Sequence, residues 1–196
     1  MPFGIYGTIL VTAFIIAQAE SYSDMHITDI QNNQYTCECI GCAIAAGEIS
    51  PPGGLICESE HFVLHQDPEV PVRGFLIISS KKHIQSVTQM SKTEAAELFS
   101  LVYRARLAQE QTGQINEVRI IQEERSGHFH LWLLPWEAWM DGKFVNSLAS
   151  VRDMMRYAKK QRRTEDNVQA VLEEVEALKA SIYCQPTAKK PDLPDF

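Results

Sequence analysis

The chain has 196 residues, 45% of them hydrophobic and 22% charged, a composition that suits a soluble globular protein with one ordinary domain and additional helices. A formal net charge of −7 argues against nonspecific nucleic-acid binding as its main task. Five cysteines, three of them within residues 37–42, are too few and too clustered for a disulfide scaffold; an odd count with a Cys-x-x-Cys points to metal or redox chemistry.

Residues 3–19 are almost wholly uncharged and end in Ala17, Gln18 and Ala19 before Glu20, the small-x-small pattern of a signal-peptide cleavage site. A basic segment ahead of the apolar centre is missing, and the stretch is short for a membrane span of about 20 apolar residues. A cleaved signal, a membrane anchor and a packed extension therefore all stay open for residues 1–19. The expectation is a cytoplasmic protein, with export and cleavage after Ala19 as the alternative. Residues 20–36, rich in Asn, Gln, Asp and Ser, read as a linker.

A short Ala-rich helix is predicted over 39–48, closed by Gly47 and the Pro51, Pro52, Gly53, Gly54 run. Strands are predicted at 55–57, 62–66, 75–79, 118–122 and 128–134, with prolines 68 and 71 marking the loop between the second and third. Between the third and fourth, Ser91 with Glu94 three residues on forms a capping box for a helix that Gly113 ends. Helices over 147–161 and 166–182 follow. The second carries Val168, Val171, Leu172, Val175, Leu178 and Ile182 as an apolar stripe, and 184–196 reads as a disordered tail. The basic residues of 159–163 read as a solvated helix face. This order predicts an antiparallel α+β domain over 37–140 with a C-terminal helical extension over 141–183.

Residues 127–135 read Gly-His-Phe-His-Leu-Trp-Leu-Leu-Pro. Two histidines two apart on an apolar strand project from one face, and paired buried imidazoles need partners. Cys39 and Cys42 alone allow a zinc half-site, a redox dithiol or two buried thiols. No βαβ order surrounds them to favour the redox reading, whereas His83 and His128, each expected at a strand end, could complete a tetrahedral site.

Taken together, Cys-Ile-Gly-Cys at 39–42, Gly-Phe-Leu-Ile-Ile-Ser-Ser-Lys-Lys-His at 74–83 and His-x-His at 128–130 resemble the histidine triad (HIT) superfamily over roughly residues 37–135. The resemblance implies an antiparallel five-stranded sheet with two helices, structural zinc on Cys39, Cys42, His83 and His128, and a homodimer that extends one sheet across its interface. It also implies that His130 attacks the α-phosphate of a purine nucleotide to form a nucleotidyl-histidine that water cleaves, with dinucleoside polyphosphates such as diadenosine tetraphosphate, or nucleoside phosphoramidates, as substrates. The alternative is a nucleotide-binding module with little or no turnover.

Several positions depart from the family pattern. Trp132 stands where the third histidine belongs; an indole donates one hydrogen bond but no titrating proton. The phosphate-contacting loop is replaced by residues 122–127, where Gln122, Arg125 and Ser126 are candidate contacts, while Glu123 and Glu124 repel phosphate unless turned outward. Gly74 stands where many members have Gly-His. The ribose-binding aspartate maps to Gln66 or Asp67, and Asp67 is preferred. Trp136 and Trp139 either stack a base or dock the C-terminal helices, the second being the commoner use.

Overall fold

The computed structural model describes residues 24–182, so the N-terminal segment 1–19 and the tail 184–196 lie outside the described residues. In chain order come β1 (Met25–Thr28), β2 (Gln34–Cys37), α1 (Ile40–Ala45), β3 (Leu55–Glu58), β4 (Phe62–Gln66) and β5 (Leu76–Ser80). Then follow α2 (Lys92–Gln111), β6 (Val118–Gln122), β7 (His130–Pro135), α3 (Val151–Gln161) and α4 (Glu165–Ser181). Strands β3 to β7 form one antiparallel sheet in the order β3-β4-β5-β7-β6, as the predicted α+β class requires. Every residue of β4 and β5 is buried, so these apolar strands hold the middle.

The segment read as a linker contains the β1–β2 hairpin. Its polar residues are turn residues: Asp29 accepts hydrogen bonds from the Gln31 and Asn33 backbone N–H groups at 2.8 Å each, and Asn32 takes the left-handed conformation at φ 68°. Ile27 and Ile30 are buried beneath them. Composition alone does not separate a tight Asx turn from a linker.

The predicted capping box is present in both directions: Ser91 Oγ accepts from the Glu94 N–H at 3.2 Å, and the Glu94 carboxylate accepts from the Ser91 N–H at 2.7 Å. Leu98, Leu101, Ala105 and Ala108 then bury one face of α2 against Phe62, Leu64, Leu76, Ile78 and Leu133. Val175 and Leu178 of α4 join the same cluster. Gly53 is what admits α4 there: with φ +72°, it leaves room that a Cβ would take 2.6 Å from Val175 Cγ1. Cys57, on β3, is buried in this core and disulfide-bonded.

The opposite face of the sheet is covered from the C-terminal side. Val151, Met154 and Ala158 of α3 are buried with Phe75, Leu134 and Met140, and Trp132 and Ile121 pack against them. Trp136 and Trp139 serve this docking. Trp136 donates its indole N–H to Asp141 at 2.6 Å, and Trp139 stacks on Tyr157 with ring centroids 5.6 Å apart. The basic run is a solvated face only in part: Lys160 is exposed, while its neighbours have partners. Lys159 pairs with Glu69 at 2.7 Å, and Arg163 donates to the Thr28 carbonyl at 3.1 Å, tying the end of α3 to the hairpin. Among the described residues no helix is long and apolar enough to cross a membrane.

Candidate functional site

Four side chains from three parts of the chain converge beyond the ends of the interior strands β5 and β7. Cys39 is the N-cap of α1 and Cys42 lies in its first turn. His83 sits in the turn after β5, and His128 immediately precedes β7 rather than lying on it. Their donor atoms all lie within 4.8 Å of one another. Cys39 Sγ is 3.3 Å from His128 Nδ1, Cys42 Sγ is 3.2 Å from His83 Nδ1 and 3.5 Å from His128 Nδ1, and the two Nδ1 atoms are 3.4 Å apart. Bonds of about 2.0–2.3 Å from a central tetrahedral ion to nitrogen and sulfur place neighbouring donors roughly 3.3–3.8 Å apart, so the set fits a four-coordinate metal.

The outer contacts agree with that fit. His128 Nε2–H donates to the Ser80 carbonyl at 2.8 Å, which keeps the proton off Nδ1 and aims its lone pair into the cluster. Burial, followed by the Cys39 sulfur beside it, pushes the Cys42 thiol up to about 11, so a thiolate here needs a cation. Gly41 is the residue that lets the ring sit over α1: a Cβ there would fall 2.5 Å from His128 Cδ2 and 2.6 Å from Nε2. Its signal in the sequence was its place between the two cysteines. Cys37 lies outside the cluster, with its thiol also raised by burial first.

His130 begins β7 on the α3-covered face, opposite Ser79 of β5. Its Nδ1–H donates to the His128 carbonyl at 3.0 Å, leaving Nε2 with an unshared lone pair. Burial lowers its affinity for a second proton, against the opposing pull of the His128 carbonyl and of Glu123, so the imidazole is neutral near pH 7. Trp132 is its neighbour on that face, with ring centroids 5.6 Å apart, and meets the edge of Phe75 on its other side.

The other sequence candidates divide. Gln66 is fully buried on the α2 side of the sheet, where its amide donates to the Val72 carbonyl at 2.9 Å; it does not reach the His130 face. Gln122 stands opposite Leu131 and so also points to the α2 side. Asp67 is 7% exposed, and its Oδ1 accepts the Glu69 and Val70 N–H groups at 2.9 and 2.8 Å. It caps the loop after β4 under the Lys159–Glu69 pair, so neither mapping of the ribose-binding aspartate delivers a free carboxylate to His130. Ser126 donates within its own loop, to the Glu123 or His128 carbonyl, each at 2.9 Å. Arg125 is exposed on the same loop.

A buried polar pair beneath His130 had no distinct sequence signal. His65 donates from Nδ1 to the Gln66 carbonyl at 2.9 Å and accepts the Ser79 hydroxyl at Nε2 over 3.3 Å. Burial brings His65 down to about 4 from 6.5, while burial raises Asp67 to about 6 against the pull of its two N–H donors.

Solved structures of histidine triad proteins resemble this chain. A Zn-bound histidine triad family protein from Mycobacterium smegmatis is 19% identical, covering 72% of this chain and 96% of that one, with a TM-score of 0.49. A histidine triad nucleotide-binding protein from Sulfolobus tokodaii is 20% identical over 72% and 94%, with a TM-score of 0.49. A HIT family protein from Bacillus anthracis is 24% identical over 70% and 94%, with a TM-score of 0.47. No family model and no curated protein matches the sequence.

Two measurements check this geometry. Gly41→Ala and Cys42→Ala should each lose the tetrahedral cobalt absorption that the parent chain develops on titration with Co²⁺, the first by displacing His128 and the second by removing a donor. The two buried titrating groups His65 and Asp67 make a prediction about acid. A histidine that protonates less readily when folded contributes fully above 6.5, and its contribution is lost as pH falls toward about 4. Asp67 has the opposite sign, gaining stability as pH falls from about 6 toward 3.8. Urea unfolding between pH 7 and 4 should therefore show a steeper acid loss in Asp67→Asn, by up to ~3 kcal/mol, and a shallower one in His65→Gln.

Proposed function

We propose that the chain is a histidine triad-type nucleotide hydrolase or nucleotidyl transferase in which His130 Nε2 attacks an α-phosphate. The observation that carries this reading is the Nδ1–H bond to the His128 carbonyl, which sets the tautomer and frees Nε2 on a half-buried, neutral ring. Attack forms an N–P bond as the bond to the leaving group breaks, and water then cleaves the nucleotidyl-histidine. The positive charge that develops on the ring is stabilised through the proton that Nδ1 shares with the carbonyl. We assign Arg125, exposed on the loop ahead of His128, a phosphate contact, with Trp132 flanking the ring.

Trp132 bears on the substrate. An amine leaving group needs a proton, whereas a nucleoside phosphate departs as a stable anion. With no titrating group at the third triad position, phosphoanhydrides such as diadenosine tetraphosphate suit the site better than phosphoramidates. Trp132 is also the residue that favours the second reading, a nucleotide-binding module, because it packs against the α3 cluster instead of serving the leaving group.

We assign zinc to Cys39, Cys42, His83 and His128, since mixed thiolate and imidazole sets of four are its preferred environment. Bound there, with all four positions taken by protein, the ion would act as a cross-link and not as a Lewis acid.

We also infer a homodimer. Phe99, Tyr103 and Leu107 form an exposed stripe at spacings of four along α2, 72%, 68% and 40% exposed, and edge strand β6 adds Ile120 at 53%. A second copy covers such a surface with the sheet continued through β6.

Release of AMP from diadenosine tetraphosphate, faster than from adenosine phosphoramidate, should fall more than about 10³-fold in His130→Ala. AMP binding without release in the parent chain would decide for the binding module. For the dimer, sedimentation should show Phe99→Glu with Tyr103→Glu at half the parent mass; an unchanged mass rules the interface out.

A further inference from the structure

Helix α3 crosses the sheet face that carries His130, held there by Val151, Met154 and Ala158 over Phe75 and Leu134. In the β6–β7 register Ile121 is opposite Trp132 and Gln122 is opposite Leu131. Glu123, one step further, therefore stands at the level of His130 and on its side of the sheet. Arg152, in the first turn of α3, makes an ion pair with Glu123 through Nη2. The other acid of the loop, Glu124, is drawn aside by the Ser86 hydroxyl at 2.6 Å. The result is a guanidinium side chain, 62% exposed, held by a carboxylate beside the nucleophile.

We propose that Arg152 is a phosphate-binding residue of the His130 site, with Glu123 occupying its guanidinium until a substrate phosphate oxygen takes that place. The proposal rests on the reading of His130 as the group that meets phosphate. Its chemistry follows from the guanidinium: a planar fork matches phosphate bidentately, and the permanent charge offsets what gathers on the phosphate oxygens during attack. It supplies charge without a titrating proton, so it makes good only the electrostatic part of what Trp132 lacks. Glu123 then has a definite function. It keeps Arg152 at the site in the free protein, and it weakens phosphate binding by competing for it.

The test turns on sign. AMP binding by calorimetry, KM and kcat for diadenosine tetraphosphate, and Tm are measured on the full-length parent, Arg152→Gln, Arg152→Lys and Glu123→Gln. A phosphate-binding Arg152 predicts that Arg152→Gln weakens AMP binding and raises KM about tenfold or more, with partial recovery in Arg152→Lys, while Glu123→Gln moves both the other way by a few-fold. Tm stays within about a degree throughout, because the pair is exposed. A merely structural ion pair predicts that both neutral variants act in the same direction and lower Tm alike; that result overturns the proposal, as does unchanged AMP binding in Arg152→Gln. Failure of the parent chain to bind any nucleotide removes the His130 reading and this proposal with it, whereas binding that is indifferent to Arg152 removes only the latter.

Discussion

His128 is held at both ring nitrogens and at its backbone carbonyl, and each of the three contacts belongs to a different part of the molecule. Nε2–H reaches the Ser80 carbonyl of β5, Nδ1 enters the cluster with Cys39, Cys42 and His83, and the carbonyl receives the proton of His130 Nδ1. A residue so constrained cannot turn without disturbing the others. The position of the His130 ring is therefore referred, through its bond to the His128 carbonyl, to a set of four donors beyond the ends of β5 and β7. The cluster sets the start of β7 against α1 and β5, and the His130 Nδ1 bond is made from that start.

Much of this arrangement was legible in the residues. The five strands, the capping box at Ser91, the stripe of α4 and the four metal-ligating candidates all come from local patterns: alternation, cap chemistry, helical spacing and the pairing of thiols with imidazoles. What escaped has a physical reason in each case. The β1–β2 hairpin is written in Asp29 and Asn32, whose side-chain and left-handed turn chemistry has the same composition as a linker. Gln66 and Asp67 sit at the end of β4, and whether such a side chain reaches a site depends on sheet face and on what covers the strand end, which adjacency in sequence does not specify. Arg152 carries no local signal, because its role comes from the tertiary placement of α3 against the β6–β7 loop.

Trp132 joins two features that the sequence presents separately, the His-x-His-x-Trp run of residues 128–132 and the C-terminal helices. A histidine at that position would be a polar group under α3 in need of a partner, while an indole gives the helix an apolar floor beside Phe75. Helices and indole are thus coupled in packing terms. The same covering accounts for Asp67, whose carboxylate ends up capping a loop beneath the Lys159–Glu69 pair.

That covering has a consequence for biosynthesis. The chain emerges from its N-terminus, so the sheet is complete once residue 135 is available, yet Phe75, Trp132 and Leu134 lack their cover until α3 has followed. For that interval the nascent protein presents an aromatic face beside a finished sheet, the kind of surface on which chaperones act and premature association begins. A chain arrested or truncated before Val151 would expose this face permanently and would also lack Val175 and Leu178 in the α2-side core. The C-terminal helices therefore govern when, as well as how, the folded sheet becomes safe to release.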